Sequence, residues 1–389
     1  MKVVYFFRSS LLQNSGVDKK ITSQINSLRT NNVDCIAYPV FWEDIPAIHN
    51  KYVQIIRRSF FYFPLRVINI VKRELLIIKK MRDALSSLTE NDILYMRIQY
   101  PSFLLSRLLS RVRTCKIVIE YQTIEPVEYR LKRKYLYLII DLFHGDAIRK
   151  YADAIVGVTD EITRYQLNRS GITNKPHITL GNGFDVASVH VRDPRQYDNT
   201  ELHLLCVANV SKWHGLDRLL KGMAEYPGNT RIIFHIAGDG DEIMSLRQLV
   251  EKFNLWNQVI FHGFKTGEEL DTLFNTCHIA VGSLGIHRKG LTQTSELKAR
   301  EYCARGIPYI IACADPDFPD DFPYIHRVSP NDSQIDIEKI IEFAQMVCAD
   351  PDHPRKMRAY ALEYLDWDVK MKTLKAFLET LVGEPESII

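Results

Sequence analysis

No uninterrupted apolar run in these 389 residues reaches the length of about 20 that a helix needs to cross a bilayer. The first apolar stretch, Val3 to Phe7, meets Arg8 and is too short for a secretory leader. Cysteine is sparse and scattered: seven residues, at 35, 115, 206, 277, 303, 313 and 348, with no C-x-x-C pair. That excludes a zinc site of the paired-cysteine kind and a disulfide frame, and fits reduced thiols in a cytoplasmic protein. No His/Cys/Asp spacing suggests another metal. Net charge is small, +3, and no recognition-helix, zinc-finger or RNP-like pattern occurs, so nucleic acid is not an expected partner.

What is present is an ordinary globular composition, 46% hydrophobic and 25% charged, in a chain long enough for two to three domains. The charge, however, is divided. Residues 1–180 carry +12 and the remainder −9. Residues 51–82 are the most basic stretch, with cations that include those at 57, 58, 66, 72, 73, 79, 80 and 82, and Glu74 as the only acid. Phe60, Phe61, Phe63, Ile68, Ile70, Leu75 and Ile78 interleave with them. This pattern suits an anionic lipid surface as well as it suits a packed helix with a solvated cationic face. Pro64 predicts two shorter elements rather than one helix.

Strand-like and helix-like segments alternate along the chain, the pattern of a parallel α/β sheet. Val3–Phe7, Asp92–Arg97, Lys116–Tyr121 and Ala152–Val158 read as buried strands. Gly16 opens a helix after the first, and Gln122-Thr123 follows the third, where α/β sheets bind ligands. Glu120, Glu125 and Glu128 lie close by, and carboxylates in such a loop are more often salt-bridged than catalytic. Gly181-Asn182-Gly183-Phe184-Asp185 and the polar run 192–201 read as a linker. A second strand–helix series then begins at Leu202, with glycine turns at Asn209–Asp217 and Gly238-Asp239-Gly240. Asp239-Gly-Asp241 sits at such a turn and reads as structural rather than as a metal ligand pair.

The stretch from Gly282 to Ile311 organises the rest. A basic loop, His287-Arg288-Lys289-Gly290, precedes a helix expected over 295–305, with Ser295 as its N-cap. An open helix N-terminus with a cationic approach is an anion site. Lys298, in the first turn, opposes the helix dipole and so points to a role other than helix stability. Ser295-Glu-Leu-Lys298-Ala-Arg-Glu301-Tyr302-Cys-Ala304-Arg-Gly306-Ile-Pro308 resembles the S-x-L-K-x-x-E-Y-x-A-x-G-x-P signature of GT-B glycosyltransferases, and is most similar to the retaining glycosyltransferase family 4.

The resemblance implies a donor site at Ser295, Leu297, Lys298 and Glu301, the lysine on a diphosphate and Glu301 on ribose hydroxyls. It aligns Asn209-Val-Ser-Lys212-Trp213-His214-Gly215 with a G-R-x(4)-K-G segment, so Asn209 and His214 replace an arginine and a lysine. Lys212, Arg288 and Lys289 are then candidates to supply the missing charge, and Gly238 belongs to the family's glycine turn. Gln293 stands where the first glutamate of E-x7-E is expected, and Gln122 where many members carry a histidine; both are the candidate catalytic positions. Gly16 is implied on the acceptor side.

The expectation is therefore α/β: a GT-B enzyme of two Rossmann-like domains, 1–190 and 191–365, facing a cleft, with 366–389 a C-terminal helix returning to the first. It would move a sugar with retention from a nucleotide sugar, a substrate rather than a cofactor, to a glycan or lipid-linked acceptor in cell-surface polysaccharide assembly. It needs no metal. The location implied is the cytoplasm, at the inner face of the membrane through 51–82. Two other readings stay open: a non-catalytic GT-B partner subunit, and a GT-B sugar-nucleotide epimerase, which would need an acid/base pair.

Overall fold

The computed structural model describes residues 1–9, 16–41, 62–97 and 102–383, with the backbone course alone at residue 9 and over 62–70. The chain divides into two compact units, Met1–Leu180 with Met371–Ile389, and Gly181–Lys370.

The first unit is a six-stranded parallel sheet in the order β2-β1-β3-β4-β5-β6. Its strands are β1 (Lys2–Ser9), β2 (Asp34–Phe41), β3 (Ile93–Arg97), β4 (Lys116–Tyr121), β5 (Ala154–Gly157) and β6 (His177–Thr179). β3 and β5 are buried along their whole length, as both-faces-covered parallel strands require. The helices are α1 (Gly16–Thr30), α2 (Tyr62–Leu85), α3 (Phe103–Leu109), α4 (Glu125–Leu131), α5 (Tyr135–Tyr151) and α6 (Asp160–Ser170). Thr159 caps α6 through its hydroxyl, and Gly171 ends it at φ +67.

α2 is a helix of 24 residues with Pro64 in its first turn, where the missing N–H has no intrahelical partner to lose; whether a second element precedes it falls outside the described residues. Residues 51–61 lie outside the described residues, and so do Arg57, Arg58, Phe60 and Phe61 of the basic stretch. Further along, α5 leaves Tyr135, Ile139, Leu142 and Phe143 exposed on one side, Phe143 to 77%.

The second unit is also a six-stranded parallel sheet, ordered β12-β11-β10-β7-β8-β9. Its strands are β7 (Glu201–Val207), β8 (Arg231–Ala237), β9 (Val259–Gly263), β10 (Ile279–Val281), β11 (Tyr309–Ile311) and β12 (Ile325–Arg327). Helices α7 (Leu216–Glu225), α8 (Ile243–Lys252), α9 (Gly267–Thr276), α10 (Leu297–Arg305), α11 (Ile337–Cys348) and α12 (His353–Tyr360) flank it, and α13 (Trp367–Val382) spans the division between the units. Leu204, Cys206, Phe234, Ile236, Ile279 and Ile310 form the centre of its core.

Most of the polar run 192–201 is exposed, but its first residue is fastened into the second unit. Arg192 is buried; its backbone N–H bonds Arg305 O at 2.9 Å, and its guanidinium donates to Gly306 O at 2.9 Å and Cys277 O at 2.5 Å. A residue that satisfies three carbonyls in this way is part of the second unit, and the division falls earlier, after Leu180.

A row of histidines crosses three strands of this unit. His203 Nδ1 lies 3.0 Å from His235 Nε2, and His235 Nδ1 lies 2.9 Å from His262 Nε2. His278 Nδ1 accepts the His203 backbone N–H at 3.0 Å. Burial holds the imidazoles of His235 and His278 down at about 4.

Candidate functional site

In the second unit the chain reverses its direction of travel across the sheet between β7 and β10. At such a switch point the loops leaving two neighbouring strands diverge and open a crevice at the carboxyl ends. The loop after β7 makes a short helical turn, Lys212–His214, and the loop after β10 makes another, Ile286–Lys289. They are fastened together: Leu284 N–H donates to His214 O at 2.9 Å and Gly285 N–H to Trp213 O at 3.1 Å. Gly215 permits this approach, since at φ +62 a Cβ would stand 2.7 Å from the Gly285 nitrogen.

α10 begins beside these loops, two residues later than its sequence suggests. Its N-cap is Glu296, whose extended backbone carries no side-chain cap, so the first-turn N–H groups are left open. Ser295 does not cap the helix. Its hydroxyl accepts the Asn182 N–H at 2.6 Å, tying down the chain that enters the unit. Leu297 is the first residue of the helix and is half-buried.

Lys298 is the residue with the most chemical meaning. Its ammonium is buried and has no hydrogen-bond partner among the described residues. The Glu296 carboxylate stands 3.6 Å away, one oxygen taking the Ser283 N–H at 3.2 Å and the other, also buried, taking nothing. A buried ammonium normally makes hydrogen bonds, because losing its water otherwise costs several kcal/mol, on the order of a folded protein's whole margin. His214 lies close enough to feel this charge. Burial first, then Lys298, keeps its imidazole well below the usual histidine range, so it is neutral. Its Nδ1 accepts the Ser211 N–H at 2.9 Å, which leaves the proton on Nε2.

The other candidates in this unit separate into two groups. Lys289 Nζ lies 4.8 Å over the Trp213 ring in the same pair of loops, and exposed Lys212 adds a second cation. Asn209 is exposed in the loop after β7. Gly238, at φ +129, lets the β8 turn press on Ala208 O, and serves geometry. Arg288, by contrast, is occupied. Its guanidinium meets both oxygens of Asp217 at 2.8 Å and Asp332 at 2.8 Å, so its charge is already neutralised within the fold. Glu301 is half-buried and paired with Arg305 Nε at 2.9 Å. Gln293 pairs with Ala314 in an isolated bridge beyond the sheet. Tyr302, next to Glu301, is structural: its hydroxyl takes the Val207 N–H at 3.1 Å and reaches Val281 O at 3.3 Å, pinning the ends of β7 and β10.

The remaining two candidates lie in the first unit. Gln122 Oε1 accepts from Lys20 Nζ at 2.7 Å, and Gly16 opens α1, the helix that carries Lys20. Sequence reasoning missed Lys20 and the role of Glu296. It also missed Arg300, which is fully buried, donates to Asn182 O at 2.9 Å and is gripped by Asp315 and Asp317. Only a side chain's burial marks such residues, and burial of a cation is not readable from one chain of letters. Among the described residues, no group of three or more His, Cys, Asp or Glu could hold a metal ion.

Residues 191–311, within the second unit, match a family model described as "Glycosyl transferases group 1". Among solved structures, the chain is similar to a sucrose-phosphate synthase from Thermosynechococcus elongatus, with TM-score 0.68, 14% identity, and 99% of this chain and 100% of that one covered. It is similar to the lipopolysaccharide outer core galactosyltransferase WaaB in its apo form, with TM-score 0.63, 13% identity, and 97% and 99% covered. It also resembles Anabaena HepE in complex with UDP-glucose, with TM-score 0.63, 13% identity, and 97% and 99% covered. No curated protein sequence matches the chain. At these identities the likeness establishes the fold: two parallel α/β units of GT-B type.

Proposed function

We propose that the protein is a glycosyltransferase that takes a nucleotide-diphosphate sugar on its second unit and passes the sugar, with retention, to an acceptor hydroxyl. The observation that carries this reading is the buried, hydrogen-bond-free ammonium of Lys298 beside an uncapped helix N-terminus at a switch point. A diphosphate supplies what that ammonium lacks. The open N–H groups of α10 and the Nε2–H of neutral His214 add donors around the same anion. Lys289 and Lys212 supply further charge from the paired loops, and Glu301 would hold the ribose. The solved HepE structure with UDP-glucose supports a nucleotide sugar as the ligand class.

In the transfer, the bond from the anomeric carbon to the diphosphate breaks while the acceptor oxygen bonds that carbon on the same face. The acceptor proton passes to the departing phosphate oxygen. The protein's part is to position the donor and to stabilise the charge that grows on the diphosphate, which needs no protein acid/base pair. Gln122 and Gln293, uncharged, suit hydrogen bonding to sugar hydroxyls rather than proton transfer. The acceptor in this reading is a glycan or lipid-linked glycan of a cell-surface polymer, met at the cytoplasmic face of a membrane by the basic first unit. No helix among the described residues is long and apolar enough to cross a membrane, so the attachment would be peripheral.

Thermal shift with a panel of nucleotide sugars tests the reading. A donor at 100 times its Kd raises the unfolding free energy by about 2.7 kcal/mol. At least one donor should raise Tm, and free nucleoside should raise it less. A panel without effect, on folded protein, overturns the proposal. Proton NMR of the product's anomeric signal then reads retention directly.

A further inference from the structure

The first unit also has a switch point, between β1 and β3, and a cavity opens beside it. Its walls include Arg97 at the end of β3, Glu120 at the end of β4, and Gln122 and Thr123 just beyond. The space within it, counted out to where it opens to solvent, is about 590 Å³.

The charges around this cavity do not balance. Glu120 has its own cation: Lys20 Nζ reaches its Oε1 at 2.8 Å, and Tyr5 and Tyr95 hydroxyls donate to its Oε2 at 3.0 and 2.8 Å. Burial alone would raise this carboxyl, but Lys20 and Arg97 hold it down at about 2. Glu125 is paired with Arg149 at 2.9 Å, and Glu128 with Lys132 at 2.7 Å. Each carboxylate in the wall is thus answered by a neighbour. Arg97 shares the Glu120 charge with Lys20 but makes no hydrogen bond to it: it is only 6% exposed, and its Nε and one terminal nitrogen have no hydrogen-bond partner among the described residues. The Thr123 hydroxyl, also buried, has none either. A guanidinium presents planar, paired donors whose natural complement is a carboxylate or a phosphate. Leaving those buried donors without a hydrogen bond is costly unless a ligand completes them.

We infer that this cavity binds an oxyanion, a carboxylate or phosphate carried by the acceptor, through the Arg97 fork and the Thr123 hydroxyl. The inference deepens the proposed transfer by naming the acceptor class, a negatively charged sugar, and rests on that reading for the word acceptor alone. Arg97 selects and orients; Gln122, fixed between Lys20 and Glu120, presents its amide to the neutral part of the same sugar.

Three probes separate the cases: methyl glucuronoside for carboxylate, glucose 6-phosphate for phosphate, and methyl glucoside as the neutral control. Calorimetric titration of the full chain should show one or both charged probes binding at least about tenfold tighter than the neutral one, as expected for a charged hydrogen-bond pair. The tighter charged probe identifies the source of the oxyanion. Arg97→Met should abolish that preference, and Arg97→Lys should retain part of it. Thr123→Val should weaken it a few-fold, and serves where Arg97→Met does not fold by circular dichroism. Equal binding of neutral and charged probes, or unchanged preference in folded Arg97→Met and in Thr123→Val, overturns the inference. So does displacement of the charged probes by uridine diphosphate, which would put them on the second unit. A nucleotide-sugar panel without effect leaves Arg97-dependent binding to stand or fall separately.

Discussion

Lys298 and Glu296 form a buried pair that costs the fold stability, a cost that a bound diphosphate would offset. Two charges are desolvated, the separation is 3.6 Å, and each leaves a buried polar atom unbonded. Replacing a buried ion pair of this kind by neutral residues is often neutral or stabilising by about 1–4 kcal/mol. The double variant Lys298→Met with Glu296→Gln should therefore melt at or above the parent temperature. It should also lose diphosphate affinity by a factor of roughly 10–100, the worth of a charged hydrogen bond. Lys298→Met alone should melt lower, because it strands the carboxylate. Scanning calorimetry with and without uridine diphosphate reads both quantities; a double variant that is less stable than the parent and binds normally would contradict this account. Lys298 and Glu301 could be singled out in the sequence because their spacing before a glycine stop is a local pattern. Glu296, Arg97 and Arg300 could not, since their meaning lies in partners they lack or that stand far along the chain. Arg288 misled for the same reason: a cation in a glycine-bearing loop looks available until Asp217 and Asp332 are seen to hold it.

Elements carry two further expectations. The histidine row exists because β7, β8 and β9 lie side by side, bringing positions 203, 235 and 262 together. Their rings share hydrogen bonds as neutral groups, and burial lowers the imidazoles of His203, His235, His262 and His278 below the usual value. In the unfolded chain each takes a proton near pH 6.5. Between about 6.5 and about 4 the unfolded state thus binds more protons, so stability must fall as pH falls through that window, by an amount on the order of several kcal/mol. Above pH 7 these groups contribute no slope. Tm measured from pH 8 to pH 4 should show the drop, and His235→Gln should flatten it; an equal slope in both proteins would remove the histidines as its cause. The second expectation concerns α5, whose Tyr135, Ile139, Leu142 and Phe143 face solvent beside the basic Lys132, Arg133 and Lys134. With aromatic and aliphatic groups next to cations, this face suits the interface of an anionic bilayer. Sedimentation with phosphatidylglycerol vesicles should bring the protein down, less so in high salt, and Phe143→Glu with Leu142→Glu should abolish it. Binding that ignores both salt and these changes would point away from α5. The sequence placed the apolar strands and most helices correctly because burial on both faces leaves a continuous apolar signature. It pointed to 51–82 as a candidate lipid surface because charge density is legible there, whereas the exposure of α5 is a property of packing and is not legible.

At the scale of the whole molecule, both sheets follow from the alternation of strand and helix, and the GT-B architecture was legible from the signature near Lys298 and its companions. The partition of the chain was less so. A polar run resembles a linker in composition, yet Arg192 knits that run into the second unit through three carbonyls. The first unit, in turn, is assembled from two separate pieces of chain, Met1–Leu180 and the part from Met371 onward, where α13 buries Met371, Leu374 and Leu378. This has a consequence in time. On the ribosome, residues 1–180 emerge first but stay short of their last helix until all 190 residues of the second unit have followed. The usual order, in which the earliest domain completes itself earliest, is then reversed. The later-made unit is one continuous stretch of chain, while the earlier one waits for its last helix until 190 further residues have been made.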